Sequence, residues 1–123
     1  MPWNLNSDRP IFLQIVERIQ MDIISGKYKP GDKLPSVRDL AGEAAVNPNT
    51  MQKAFSELER TGLVYSQRTT GRFITEDTTL IYELKTTLAK EKITEFIALM
   101  QQLGFSKEEI LALISDTMKG ETS

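Results

Sequence analysis

The sequence predicts an α+β fold: three helices, then a two-stranded hairpin, then an all-helical tail. Three observations carry that prediction. Apolar residues recur at helical spacing in three runs before Gly62. The period then changes to alternation across "LVYSQ" and "RFITE", joined by "RTTG". From Thr78 onward the pattern is helical again, with no further strand signal. Three helices closed by a hairpin form the layout of a winged helix-turn-helix, the hairpin being the wing. The expected division is a winged helix-turn-helix over residues 1–77 and a short all-helical C-terminal dimerisation tail of two helices over 78–123.

The first helix is expected over Pro10 to Ser25, with Pro10 at its first position and Gly26 as its stop. Phe12, Ile15, Val16, Ile19 and Ile23 form its buried stripe. "GKYKPGDKLP" reads as a turn-rich link around Pro30-Gly31. Ser36 and Asp39 make a pair like a capping box for a second helix through Ala44, which buries Val37, Leu40, Ala41 and Ala44. Only about three residues later Asn47 caps a third helix, and Pro48 takes the position where a missing N–H costs nothing. Met51, Ala54, Phe55 and Leu58 face inward, whereas Asn49, Gln52, Lys53, Ser56 and Arg60 form a polar stripe opposite. Phe12, Phe55 and Phe73 are expected in the core; Trp3, outside any periodic run, is either a packing plug or a free end.

The run from Thr78 to Gly104 does not keep one apolar face. Leu80, Ile81, Leu84 and Leu88 point one way; Ile93, Phe96, Ile97, Met100 and Leu103 centre on a different side of the helix at about 100° per residue. Such a helix either kinks or meets two different bodies. Ser106 and Glu109 cap a last helix carrying Ile110, Leu111, Ile114 and Met118. Two helices of this size enclose no core alone, so their stripes need a second surface. That surface is the chain's own first domain, a second subunit, or both. The residues expected at a subunit interface are Ile93, Phe96, Ile97, Met100, Leu103, Ile110, Leu111 and Ile114.

Composition excludes much chemistry. The 123 residues contain neither cysteine nor histidine, which removes disulfides, thiol catalysis, and the commonest general base and metal ligands. No nucleophile–base pair, phosphate loop or metal cluster stands out, so neither an enzyme nor a cofactor is expected. No run approaches a membrane span, and the first residues lack a signal-peptide pattern, so the expectation is a cytoplasmic protein without membrane insertion. Charge is ambiguous. Ten Lys/Arg face ten Asp/Glu up to Asp77 and five face seven beyond it, for a net charge of −2. That balance argues mildly against nucleic acid and in favour of an alternative, a winged-helix module that binds protein. Locally, however, Arg60, Arg68 and Arg72 cluster with no acid between Arg60 and Glu76.

The stretch "NPNTMQKAF" suits a helix that reads DNA. Neutral Asn and Gln can pair with adenine in the major groove, and a positive helix end attracts phosphate. The blocks "PGDKLPSVRDLA", "VNPNTMQKAF", "LERTGLV" and "GRFI" stand in the order and spacing of one family over residues 10–74. On these motifs the chain resembles the DNA-binding domain of GntR family bacterial transcription regulators. "PIFLQI", "VNPNT" and the short helical tail are similar to its YtrA-like subfamily. The resemblance implies a DNA contact from Arg38, a reading-helix start at Asn47, Pro48, Asn49, Thr50 and Gln52, and a wing tip at Gly71 near the minor groove. Lys53, on the polar face, is a phosphate contact or serves solubility. Arg68, Thr70 and Arg72 around the wing tip are expected to contact DNA, and the two arginines equally suit edge-strand protection.

Two positions depart from the family pattern. Thr69-Thr70-Gly71 replaces a Gly-x-Gly wing tip, and Ala45 stands where glycine is common. Both residues are less free than glycine to adopt positive φ. The implied function is a homodimeric repressor on an inverted-repeat double-stranded DNA operator, with any small-molecule effector left open.

Overall fold

The computed structural model describes residues 3–122. Helix α1 spans Ile11–Ile24, α2 Val37–Ala44 and α3 Pro48–Arg60. Strands β1, Val64–Gln67, and β2, Gly71–Ile74, pair antiparallel with Val64 opposite Ile74 and Gln67 opposite Gly71. Helices α4, Thr78–Gln102, and α5, Lys107–Thr122, follow.

The helix starts repeat one device. Ser36 Oγ accepts the Asp39 N–H at 3.0 Å, and Asn47 Oδ1 accepts the Asn49 N–H at 2.7 Å, each satisfying a donor left orphaned at a helix start. Pro10 caps α1 and does not begin it: its ψ of 130° is extended, so helical geometry starts one residue later than expected. At α5 the box is reciprocal, with Ser106 Oγ accepting from Glu109 N–H and Glu109 Oε1 from Ser106 N–H.

Ile15, Ile19, Leu40, Met51, Phe55, Leu58, Val64 and Ile74 are fully enclosed between α1, α2, α3 and the base of the hairpin. Trp3 joins this core as a packing plug, with the Arg18 guanidinium 4.8 Å from its ring centroid. Leu80, Ile81 and Leu84 of α4 also pack on it, and the first compact unit runs through Leu84. The second unit, from Lys85, holds the rest of α4 and α5. Helix α4 runs without interruption from Thr78 to Gln102.

Three expectations need correcting. Val37, Phe12 and Phe73 are only half-buried; Phe73 stacks on Tyr65, centroids 5.8 Å apart, on the open face of the hairpin. Gly71 is the first residue of β2, and the turn proper is Arg68 to Thr70. The link before α2 is more than a turn: Leu34 N–H donates to the Arg72 carbonyl and Ile74 N–H to the Asp32 carbonyl, both at 2.8 Å, and Lys33 bridges to Phe73. Alternation is the sequence signal of a strand, and one bridging residue is too short to display it.

Candidate nucleic-acid interface

The turn from α2 into α3 sets the site. Ala45 ends α2 in the left-handed region, φ 60° and ψ 48°, and the chain turns there directly into the Asn47 cap. Capping engages the carbonyl oxygen of the exposed Asn47 side chain and does not use its amide N–H groups. Asn49, Gln52, Lys53, Ser56 and Arg60 are all exposed, Pro48 is exposed beside them, and Thr50 is half-buried. Gln52 Nε2 makes one long bond, 3.3 Å, to Ser56 Oγ. The start of α3 thus offers uncharged donors and acceptors to solvent, with no acid in its first turn.

A groove of about 870 Å³ lies beside this helix start. Arg38 and Asp39 of α2, Gln52 and Phe55 of α3, and Thr69, Thr70, Gly71 and Arg72 of the wing line it, so three separate stretches of sequence converge there. Lys33 lines it as well, a residue that sequence reasoning missed because it sits in the link.

The basic residues divide by what already occupies them. Arg38 and Arg68 are exposed and form no ion pair among the described residues. Arg60 is bound to Glu57 at 2.5 Å. Lys53 Nζ rests 4.0 Å from the Phe12 ring centroid, a contact that holds the side chain against α1. Arg72 Nε bonds Glu59 of α3, its guanidinium lies 5.2 Å from the Phe55 ring centroid, and Ser66 Oγ donates to the same carboxylate at 2.8 Å. Burial pushes the Glu59 carboxyl up, but the bonds from Arg72 and Ser66 outweigh it and hold the group below its ordinary value.

In the tail, Ile93, Phe96, Leu103 and Leu111 are exposed, with Leu103 at 65% and Leu111 at 67%. Ile97, Met100 and Ile114 are half-buried. Ile110, at 3%, is already enclosed and has the least surface to offer. Leu99, Leu113 and Met118 are exposed too. Among the described residues no group of acids could hold a metal, and no helix is long and apolar enough to cross a membrane.

The arrangement has close parallels. The chain is 43% identical over 114 residues to the HTH-type transcriptional regulator YhcF of Bacillus subtilis, covering 93% of this chain and 94% of YhcF. It is 39% identical to the HTH-type transcriptional repressor YtrA of the same organism, covering 93% and 91%. A GntR family transcriptional regulator from Listeria monocytogenes superimposes with a TM-score of 0.85 at 43% identity, covering 91% of this chain and 98% of that one. The AraR DNA-binding domain, solved in complex with operator ORX1, matches at a TM-score of 0.53 and 30% identity over 61% of this chain and 92% of its own. Residues 12–74 match the model for bacterial regulatory proteins of the gntR family, the same span that builds the helix-turn-helix, the groove and the wing. The chain therefore belongs to the GntR family, whose members are DNA-binding transcriptional regulators and not enzymes.

Proposed function

We infer that this protein is a cytoplasmic repressor that binds an inverted-repeat operator as a homodimer. The observation that carries the reading is the uncharged, outward start of α3, with Asn49 and Gln52 beside a groove that also collects Arg38 and the wing. Helix N-termini of this kind enter the major groove, where Asn and Gln read adenine and backbone cations fix the register. Support for repression comes from the name of YtrA, and support for operator recognition from the AraR complex. The exposed apolar residues of the tail favour pairing of two copies, and a two-fold protein reads two symmetric half-sites.

Selection of bound sequences from a random duplex pool tests this. The wild type is expected to enrich a palindrome. Asn49→Ala and Gln52→Ala together are expected to erase preference at specific positions, at a cost of about 1–3 kcal/mol per base contact. The same enriched sequence from wild type and double variant would remove the reading-helix role of these residues.

A further inference from the structure

Of the cations lining the groove, Lys33 alone comes from outside both the helix-turn-helix and the hairpin. Its segment is tied to β2 by the Leu34–Arg72 and Ile74–Asp32 backbone bonds, and Lys33 itself pairs with Phe73 as a one-residue bridge on the edge of β2 away from β1. The side chain then runs beside Gly71, whose φ is +116°. A Cβ at that position would lie 3.0 Å from Lys33 Cε and 3.8 Å from Nζ, so the end of the lysine occupies space that a side chain at 71 would share. Lys33 is exposed and has no carboxylate partner among the described residues.

Arg72 is the opposite case. Moving it to a phosphate would break its bond to Glu59 and leave that carboxylate, only a third exposed, facing a polyanion. The two losses add, whereas a lysine whose backbone is already ordered on a sheet edge gives up little to reach a phosphate.

We propose that Lys33 is a DNA-backbone contact of the wing groove, acting with Arg38, and that Arg72 is a positioning residue that holds the wing against α3 without touching the duplex. The assignment rests on the DNA-binding reading above. Phosphate contact is independent of sequence, so the operator need not be known to test it.

The test titrates wild type, Lys33→Gln, Lys33→Arg and the double variant Glu59→Gln/Arg72→Gln onto a mixed-sequence duplex across a range of salt. Each neutralised phosphate adds about 0.9 to the slope of log K against log salt. Lys33→Gln is expected to lower the slope by about 0.9 at an unchanged thermal midpoint, with Lys33→Arg restoring it. The double variant, which removes both charges of the strut, is expected to keep the wild-type slope. A Lys33→Gln slope equal to wild type overturns the assignment alone, as does a slope lost in the double variant. A wild type that retains no duplex at low salt sinks the DNA-binding reading and this assignment with it.

Discussion

At Ala45 and Thr69 the chain adopts positive φ, 60° and 69°, without glycine. For an L-residue the left-handed region costs roughly 1–2 kcal/mol, because Cβ crowds the following carbonyl. Part of that cost returns when glycine replaces the residue, since glycine loses more freedom on folding. Ala45 is exposed, so its methyl contributes little packing. Ala45→Gly is therefore expected to stabilise the protein by about 0.5–1 kcal/mol, read as a higher denaturant midpoint at unchanged m-value. The tension was legible in the sequence, where alanine and threonine stand at positions that favour glycine. Its resolution was not. The pairing of Gln67 with Gly71 closes the turn over three residues, and Thr69 takes the positive φ within it.

At the scale of the element, the wing is held by a side-chain clamp as well as by its ladder. Glu59 reaches from α3 to Ser66 on β1 and Arg72 on β2, so one carboxylate ties a helix to both strands. The folded Glu59 sits below its ordinary value of 4.5, so its contribution is complete above the unfolded value. It is lost as the pH falls through the folded value. Unfolding of wild type and Glu59→Gln is thus expected to differ at neutral pH and to converge once the pH has fallen below the folded value. Equal stability at neutral pH would show that the clamp holds nothing. The same pairing shows what bulk charge hides: it takes Arg60 and Arg72 out of play together with Glu57 and Glu59, so the balance is unchanged while the unpaired cations stand elsewhere.

For the whole molecule, the issue is what covers the tail. Leu103 and Leu111 are about two-thirds exposed, far more than folding of one copy requires. Replacing both with Glu should leave the helices intact, judged by circular dichroism, while shifting the sedimentation average from dimer towards monomer. Operator affinity should fall with it, because the second half-site is no longer presented at high effective concentration. A wild type that sediments as one copy at working concentration would end the dimer proposal. Ile110 makes a useful contrast: it is enclosed already, so Ile110→Ala is expected to cost about 2–5 kcal/mol of tail stability through a cavity.

Periodicity alone determined the helices, the hairpin and the inward faces of α1, α2 and α3, because those depend on local propensity and on the side of each element that must leave water. The burial of Leu34, Leu63, Val64 and Ile74 came only with the folded chain. Cap chemistry placed the start of α3, and with it the reading face, because Asn47 and Pro48 act on neighbours within one turn. Only the tertiary structure decided which cations are free, since ion pairs such as Glu59–Arg72 join residues far apart in sequence. It also decided that Lys33 belongs to the wing. A backbone bridge leaves no pattern in the chain that makes it, and what recruits Lys33 is the unpaired edge of β2, a property of the folded sheet.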